Sequence, residues 1–525
     1  MIKLNNFAYQ YFFVFSIVTA NYSAADNYLE SAPALNLNNF NDTNKRAIEI
    51  LTSHHTVISD NNINALSLNA AANSSVVIIN QPGKYTIDKN LIFSPQNNNV
   101  TGILINTSNV TLDLKGYAIW QNNSSSNFSL ISVTAGLSNI NIINGTLANC
   151  TGVALMVNTG TKITINSLAI NNCQATGLQL TKCNNSLITE TYVTNCVINS
   201  NSNGGSGTEL SGILLDSCTN IKITESASNN HINNLAGGTT NGFKLINCNN
   251  CTVSNCNSNA HQAAITNGLL IQNVKSCMFK NCKANNNLAT QIIDTNGVAG
   301  FNLIYSINCH LDDCQAQANS SGNTAYGFKL LNSQYNKLNN CEASYNVTTC
   351  STNCYHTYGF YCNTTNGSIG GNSIISCQAT GNTGGANINS FGIGFTLDSG
   401  AKYTTISKCT ADYNNSPVGT GCGIYLNGAT YCNIRGNNVI TNTGNSPDGG
   451  YGIYDTTTNS INLYMQNFAF GNGKTDNAVI NNYKVFLAPD TNLALFPSVI
   501  AYLNNFNNLS TTQTANYNVE IIERP

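Results

Sequence analysis

Residues 242–256 read GFKLINCNNCTVSNC, residues 268–282 read GLLIQNVKSCMFKNC and residues 300–314 read GFNLIYSINCHLDDC. Each stretch begins with Gly and continues with two apolar residues at alternate positions, and a second apolar pair stands nine and eleven places after the Gly. Alternation with a period of two indicates two strands per repeat, each with one buried face. The three stretches therefore predict a repeated all-β unit.

The same pattern extends over most of the 525-residue chain. A Gly followed by apolar residues recurs from Gly152 to Gly452 at intervals of 25 to 35 residues. A unit made of short strands cannot bury its apolar face alone, so such units stack into a solenoid with one continuous core. We predict a parallel β-helix of about 11–13 coils, and a right-handed one because parallel crossovers are right-handed.

The turns of the repeat are marked by Asn. Asn185, Asn220, Asn250 and Asn308 each stand eight places after a repeat Gly. Asn accepts the left-handed backbone conformation more readily than most residues do. We therefore expect left-handed turn residues that stack from coil to coil.

The chain has 20 Cys, all of them within the repeat. We expect buried, free thiols, because Cys packs as a small apolar residue and in-register parallel side chains do not easily reach the torsion of a disulfide. An even number of Cys in an exported chain favours disulfides instead. No second pair of Cys stands at zinc-site spacing, so we predict no metal site and no cofactor.

The first residues predict export. A Lys at position 3 is followed by an apolar run over residues 7–20 and by small residues. This order is typical of a signal peptide, here residues 1–24 with cleavage near Ala20 or Ala24. The run is too short for a membrane span, so we expect no transmembrane anchor in the mature chain.

The rest of the chain divides into three segments. Residues 25–75 contain a capped helical pattern at Asp42–Leu51, which predicts a short N-terminal cap helix. Residues 76–470 hold the β-helix. Residues 471–525 lose the repeat and are expected to form an irregular C-terminal cap over the last strand edges.

Three stretches resemble a known family. Residues 79–87 (INQPGKYTI), 102–105 (GILI) and 109–119 (NVTLDLKGYAI) resemble the opening coils of bacterial right-handed parallel β-helix repeat proteins of the pectin-lyase-like superfamily. The resemblance covers about residues 76–470. It implies the fold but leaves the activity open, because the superfamily includes lyases, hydrolases, adhesins and other surface proteins.

The best-known active sites of that superfamily are not matched. Its pectate lyases use acidic calcium ligands and an Arg, but only Arg435 of this chain falls within the coil, and no carboxylate shares its column. Its polygalacturonase-like hydrolases carry an adjacent Asp pair among other motifs. Asp312 and Asp313 match the pair, and the other motifs are missing.

Two further carboxylates are candidate catalytic residues. Glu190 and Glu225 both stand thirteen places after a Gly, in neighbouring coils. One coil of separation is close to the spacing of the two carboxylates in a retaining glycosidase. The alternative is that this is a turn position filled by any polar residue. The six His (His54, His55, His231, His261, His310 and His356) are interpreted as surface residues.

An aromatic strip is the candidate ligand-binding site. Tyr361, Tyr425 and Tyr454 stand two places after their Gly and are therefore expected to point outward. Such a strip is suited to stacking on sugar rings, and it is equally compatible with an ordinary sheet surface.

Charge excludes one class of partner. Only 8% of residues are charged, with 21 Lys and Arg against 23 Asp and Glu, so no basic face for nucleic acid is expected. We predict an exported, extracellular or cell-surface protein that binds polysaccharides or cell-surface glycans or serves as a structural rod. The alternatives are a divergent polysaccharide lyase or glycoside hydrolase, and a trimeric spike.

Overall fold

The computed structural model describes residues 55–58, 77–93, 100–122, 128–199, 209–290, 297–349, 356–364, 370–446, 449–457, 462–474 and 483–485. The predicted signal peptide, the predicted cap helix and most of the predicted C-terminal cap lie outside these residues. The described residues contain strands and turns and no helix.

Each coil has up to four short strands, and one of them belongs to a 15-stranded parallel sheet that we call face 1. Its strands, in stacking order, are β2 (Val77–Ile79), β5 (Val100–Ile105), β8 (Phe128–Val133), β10 (Leu155–Asn158), β12 (Leu178–Thr181), β16 (Glu209–Asp216), β20 (Thr239–Ile246), β24 (Ile265–Gln272), β27 (Val298–Ile304), β31 (Ala325–Leu331), β35 (Thr357–Asn363), β38 (Phe391–Leu397), β42 (Thr420–Leu426), β46 (Tyr451–Asp455) and β50 (Tyr483–Val485).

Face 2 follows face 1 in each coil. Its parallel strands are β1 (His55–Ile58), β3 (Gly83–Ile87), β6 (Val110–Asp113), the first halves of β9 (Ser138–Ala148) and β11 (Thr161–Asn171), β13 (Leu187–Thr189), β17 (Lys222–Thr224), β21 (Thr252–Ser254), β25 (Met278–Lys280), β28 (His310–Asp312), β32 (Lys337–Asn339), β36 (Ser373–Ile375), β39 (Thr405–Ser407), β43 (Asn433–Arg435) and β47 (Leu463–Met465).

Face 3 continues face 2, and the long strands β9 and β11 run through both. Its other strands are β4 (Leu91–Phe93), β7 (Ala118–Gln121), β14 (Tyr192–Thr194), β18 (Ala227–Asn229), β22 (Asn257–Asn259), β29 (Gln315–Gln317), β33 (Glu342–Ser344), β37 (Gln378–Thr380), β40 (Thr410–Asp412), β44 (Asn438–Ile440) and β48 (Phe468–Phe470).

Face 4 closes the coil with two-residue strands. These are β15 (Val197–Ile198), β19 (Ile232–Asn233), β23 (Gln262–Ala263), β26 (Leu288–Ala289), β30 (Ser320–Ser321), β34 (Val347–Thr348), β41 (Asn415–Ser416), β45 (Thr443–Gly444) and β49 (Gly473–Lys474). All the pairings are parallel, so the predicted parallel β-helix is confirmed.

The interior is filled by like residues stacked one coil apart. Phe328 and Phe360 lie with ring centroids 4.8 Å apart, and Phe360 and Phe395 also lie 4.8 Å apart. This is the spacing of hydrogen-bonded parallel strands, so the rings repeat with the backbone. The apolar pairs of the sequence repeat therefore form one continuous core, as predicted.

The repeat Gly is required because neighbouring atoms leave no space for a side chain at its position. A Cβ added at Gly327 would lie 2.7 Å from the Cβ of Ala343 and 2.7 Å from the carbonyl oxygen of Gly359. Those distances are too short for any side chain. Gly at this place thus lets face 1 approach face 3 across the coil.

The predicted left-handed turns are confirmed. Asn185, Asn220, Asn250 and Asn308 have φ angles of 49°, 55°, 59° and 55°. Other corners repeat the same device, with a left-handed residue directly followed by an inward residue. That inward side chain reaches the backbone of the preceding coil, as Asn336 Oδ1 does in accepting the N–H of Cys309 at 2.8 Å.

Most of the Cys residues are among these inward residues, whereas Cys422 lies on the outer side of face 1. The eighteen Cys of the described residues are buried and free, as expected, and Cys350 and Cys354 lie outside those residues. Burial raises the pKa of the Cys314 and Cys341 thiols. The thiols therefore serve as small core side chains rather than as cross-links.

The prediction that all six His lie on the surface is wrong for two of them. His231 and His261 are fully buried, and their rings stack with centroids 4.9 Å apart. Each occupies the inward corner position that Asn287 and Asn319 hold in the next coils. Their Nδ1 atoms accept backbone N–H groups of the preceding coil, from Cys196 at 3.2 Å and from His231 at 3.3 Å.

Candidate functional site

Two outward columns of face 1 meet at the repeat Gly. One column stands one residue before the Gly and the other two residues after it. Tyr358 and Tyr361, on either side of Gly359, have ring centroids 4.7 Å apart, and Tyr451 and Tyr454 have centroids 4.5 Å apart. The strand bends at the Gly, so side chains from both columns converge on the outer side of the sheet.

The later coils fill these columns with aromatic residues. We call this set the tyrosine cluster, and it comprises Tyr326, Tyr358, Tyr361, Tyr425, Tyr451 and Tyr454. The cluster is separate from the interior core. Tyr361 is 8% exposed, whereas Tyr425 and Tyr454 are half-buried and stack with centroids 5.3 Å apart. Solvent therefore reaches the cluster mainly at Tyr425 and Tyr454.

A row of polar side chains runs beside the tyrosine cluster, four places after the Gly. In this polar ladder Asn427 Nδ2 donates to Asp398 Oδ1 at 2.9 Å and Thr456 Oγ1 donates to Asn427 Oδ1 at 3.2 Å. Asn363 Nδ2 donates to Asp398 Oδ2 at 3.3 Å. Asn427 is exposed, and Asp398 and Thr456 are half-buried, so the ladder offers hydrogen-bonding groups to solvent.

Asp398 joins the ladder to the aromatic residues. The hydroxyl of Tyr361 donates to Asp398 Oδ2 at 2.8 Å. Burial, with the charge of Asp398 as a second cause, raises the pKa of Tyr361. Burial also raises the pKa of Tyr425 to about 12. Both phenols are thus protonated at neutral pH and act as hydrogen-bond donors rather than as bases.

His356 lies at the edge of the cluster. Its ring packs edge-on against Tyr358 and Phe391, at centroid distances of 5.7 Å and 5.0 Å. Burial lowers its pKa to about 4, and the charge of Asp398 opposes that effect. Its Nδ1 accepts the N–H of Phe391 at 3.0 Å, so this nitrogen is engaged in holding the backbone.

The earlier coils of face 1 carry amides in the same columns. Asn267 Nδ2 donates to Asn241 Oδ1 at 2.8 Å, and Asn302 Nδ2 donates to Asn267 Oδ1 at 2.9 Å. The row ends at Glu209, which pairs with Lys244. Between the amides and the tyrosine cluster, Lys329 Nζ lies 4.4 Å from the ring centroid of Tyr326.

Glu190 and Glu225 lie away from this site. Both are exposed turn residues between faces 2 and 3, with φ angles of 46° and 52°. Glu190 Oε2 accepts a hydrogen bond from Ser167 Oγ at 2.7 Å. The two carboxylates stand one coil apart in one column, and their catalytic role stays a prediction.

Asp312 and Asp313 also lie on the side of the solenoid that faces 2 and 3 form, which we call the wall. Asp312 Oδ1 accepts from Asn339 Nδ2 at 2.7 Å, and Asp313 Oδ1 accepts from Asn340 Nδ2 at 2.6 Å. Each carboxylate is thus engaged by an amide of the next coil. A catalytic role for the pair likewise stays a prediction, and neither residue is near face 1's outer columns.

Tyr361, Tyr425 and Tyr454 do lie together in one cluster on the outer side of face 1. The sequence interpretation missed the column before the Gly, which adds Tyr326, Tyr358 and Tyr451. A count of one place back from each Gly would have found them. The rings stack on one another, so edges and hydroxyl groups, rather than open ring faces, are available to a ligand.

Within the described ranges, no group of three or more His, Cys, Asp or Glu is arranged to hold a metal ion. None of the described residues belongs to a helix long and apolar enough to cross a membrane.

Comparisons with known proteins identify distant structural likenesses. No protein-family profile matches the chain. No curated protein sequence matches it either. Among solved structures, the A-module of a mannuronan C-5 epimerase from Azotobacter vinelandii is similar at 14% identity and a TM-score of 0.40, over 82% of this chain and 99% of that one.

Two further structures are similar over most of the chain. A surface protein and adhesin of Streptococcus pneumoniae matches at 10% identity and a TM-score of 0.30, over 84% of this chain and 99% of that one. A pectate lyase matches at 12% identity and a TM-score of 0.31, over 68% of this chain and 77% of that one. Values this low describe a distant likeness of shape and leave the activity open.

Proposed function

We propose that this is an exported β-helix protein that binds polysaccharides on the outer side of face 1. The observation that carries the proposal is the placement of Tyr425 and Tyr454 directly beside the polar ladder of Asp398, Asn427 and Thr456. A sugar ring has apolar C–H groups and a rim of hydroxyl groups. The exposed edges of the tyrosine rings can contact the C–H groups, and the adjacent phenol, amide and carboxylate groups can form hydrogen bonds with the hydroxyl groups.

The state of the polar groups favours binding over proton transfer. The raised pKa values of Tyr361 and Tyr425 keep their hydroxyl groups protonated. Asp398 already accepts hydrogen bonds from Tyr361, Asn363 and Asn427. A general base needs a pKa near the working pH, and the raised pKa values of Tyr361 and Tyr425 do not provide one. Export rests on the predicted signal peptide of residues 1–24.

A glycan array with the purified chain tests the proposal. We expect binding to at least one polysaccharide class, and a Kd raised about tenfold in a Tyr425→Ala, Tyr454→Ala double variant, because each aromatic contact contributes about 0.7 kcal/mol. Tyr117→Ala is the matched control, since Tyr117 is 37% exposed and lies outside the tyrosine cluster. Equal binding by the parent and the double variant would refute the site.

The same polysaccharides are then incubated with the protein and assayed for new reducing ends and unsaturated products. Binding without products supports a binding protein. Products that disappear in Glu190→Gln or Glu225→Gln would instead support the hydrolase alternative. Detection of the protein in the extracellular or cell-surface fraction, with residues 1–24 removed, tests export.

A further inference from the structure

Six exposed tyrosines adopt a backbone conformation that bulky residues avoid. They are 50% to 63% exposed and have φ angles between 52° and 58°, and they are Tyr305, Tyr335, Tyr345, Tyr403, Tyr413 and Tyr431. The left-handed region is costly for L-residues and is tolerated mainly by Gly, Asn and Asp. In neighbouring coils the same columns hold Asn308 and Asn286, which suit it.

Four of the six tyrosines form a frame, and Tyr431 extends one of its columns by stacking on Tyr403 with ring centroids 5.3 Å apart. In one coil Tyr335 and Tyr345 stand at the two corners that bound faces 2 and 3, and two coils later Tyr403 and Tyr413 stand at the same two corners. The coil between them has Gly371 and Gly381 there. The backbone links confirm the stacking, since Tyr335 N donates to Gly370 O at 3.0 Å and Gly381 N donates to Asp412 O at 3.0 Å.

The glycines make room for the rings. A Cβ added at Gly371 would lie 2.9 Å from ring carbons of Tyr335, and one at Gly381 would lie 2.7 Å from a ring carbon of Tyr345. The rings of Tyr335 and Tyr345 therefore lie over the glycines of the following coil. The result is an aromatic surface at both edges of the wall, while most of each ring stays open to solvent.

The wall between the two tyrosine columns is small and polar. In the middle coil its outward side chains include Ser373, Ser376 and Thr380, which are half-buried or exposed. Residues 372–380 contain no charged residue. The coils on either side each carry one positive and one negative residue on the wall, Lys337 with Glu342 and Lys408 with Asp412. The charges cancel within each coil.

We propose that this wall, which we call the tyrosine frame, binds a linear neutral polysaccharide that contacts both tyrosine columns. Hydroxyl groups on the floor and aromatic rings at both edges suit the hydroxyl groups and the C–H groups of sugars. The balanced charge disfavours an acidic polymer, which would need an excess of Lys or Arg. The backbone strain accepted at each tyrosine is consistent with selection for ligand contact.

This proposal rests on the proposed function and adds a second site with a named ligand class. The probes are soluble β-glucan and galactomannan as neutral polymers, and polygalacturonate and alginate as acidic ones. Binding is measured by affinity electrophoresis and by calorimetry with the full chain. We expect the neutral polymers to bind, and we expect a Tyr403→Asn, Tyr413→Asn double variant to raise Kd about tenfold.

Asn is the replacement of choice because it fits the left-handed turn and so preserves the fold. A Tyr403→Phe, Tyr413→Phe variant keeps the rings and should retain most of the binding. Tyr305→Asn is the matched control, because Tyr305 is 51% exposed with φ 52° but lies on another corner, outside the tyrosine frame. It should bind as the parent does.

Each outcome has a distinct meaning. Unchanged binding by the Tyr403→Asn, Tyr413→Asn variant, or binding of the acidic polymers alone, overturns the tyrosine frame. If binding is lost only in the Tyr425→Ala, Tyr454→Ala variant, the proposed function stands and the frame fails. If no polymer binds the parent chain, both fail.

Discussion

One interior corner of the solenoid changes its chemistry along the axis. In two upstream coils the inward residue is His231 or His261. In the following coils, from Asn287 to Asn472, it is always Asn. Both kinds accept the backbone N–H of the preceding coil, His261 Nδ1 from His231 at 3.3 Å and Asn346 Oδ1 from Asn319 at 3.1 Å. The corner therefore selects an acceptor rather than a particular residue.

The residue three places before the corner residue changes as well. His261 Nε2 lies 3.0 Å from Ser258 Oγ, which donates to the carbonyl of Gly268 at 2.6 Å. Asn346 has Ala343 at that place, and its Nδ2 donates to the carbonyl of Ala316 in the preceding coil at 3.2 Å. Ser thus accompanies His, and Ala accompanies most of the corner Asn residues. Both kinds of corner residue accept a buried backbone N–H, whereas the Ser258 hydroxyl and the Asn346 amide satisfy different carbonyl groups.

The largest expected effect is the loss of stability when a corner Asn is replaced by an apolar residue. Asn346→Leu leaves the buried N–H of Asn319 and the carbonyl of Ala316 without partners. Each unsatisfied buried group costs about 1–3 kcal/mol, so we expect the free energy of unfolding to fall by about 4 kcal/mol. Urea unfolding measures it. Asn339→Leu, on the outward side of the same coil, is the control and should cost less than about 1 kcal/mol. A loss that small for Asn346→Leu would contradict the assigned role.

The next effect is a pH dependence of stability that the coils with a corner His should cause and the coils with a corner Asn should not. Burial, with neighbouring His231 as a second cause, lowers the pKa of His261 well below its ordinary value. The unfolded chain takes up a proton near pH 6.5 and the folded chain does not, so stability is present above that pH and declines as pH falls. The decline is about 1.4 kcal/mol per pH unit.

A swap of the pair tests this origin. Ser258→Ala with His261→Asn copies the downstream pair, whose amide does not titrate. Between pH 7 and pH 5 we expect the variant to lose about 2 kcal/mol less free energy of unfolding than the parent. The groups that face His261 are His231, Ser228, Ser258 and Asn287, and no Asp, Glu, Lys or Arg is among them. Parallel pH profiles for the two proteins would show that the pH dependence arises elsewhere.

A smaller effect concerns the turn residue just before this corner. Ala260 in the upstream region and Ala318 in the downstream region have φ angles of 59° and 52°, which Asn tolerates better than Ala. Ala260→Asn and Ala318→Asn should each raise the free energy of unfolding by about 0.5 kcal/mol, measured by thermal unfolding. The reverse change Asn286→Ala should lower it by a similar amount. A gain in one region only would mean that the two turns differ.

The smallest expected effect is an absence of thiol reactivity in the folded protein. The eighteen described Cys are buried, whether they neighbour His or Asn corners. We expect none of these thiols to react with a thiol reagent in native buffer, and all of them to react after unfolding without reductant. If fewer than half of the 20 Cys react after unfolding, disulfides form and the free-thiol assignment is wrong.

The repeat and its turns were predictable because they depend on local rules. Gly327 marks a full interior, and Asn250 and Asn308 mark left-handed turns. His231 and His261 were misjudged because their burial depends on the column they share. Counted from the repeat Gly, both stand nineteen places on, as do Asn287 and Asn319. That shared place was the signal in the sequence.

The candidate site was predictable only in part. Tyr361, Tyr425 and Tyr454 were found because a period of two places them outward. Their meeting with Tyr358 and Tyr451 depends on the bend at the Gly, which no strand periodicity describes. Asp398 stands four places after a Gly, but its link to Tyr361 joins different coils. Contacts between coils require the stacking register as well as the repeat.

The corner ladder of His and Asn gives the two ends of the solenoid unequal chemistry. Every ladder side chain accepts an N–H from the coil before it, as Asn472 does from Asn442 at 2.9 Å. Removing a final coil therefore strands a buried backbone N–H, whereas removing a first coil strands side-chain groups, which can rotate toward solvent. Unpaired buried backbone N–H groups are rare in proteins. The solenoid thus has a direction, and its carboxyl-terminal end is the one that most needs closing.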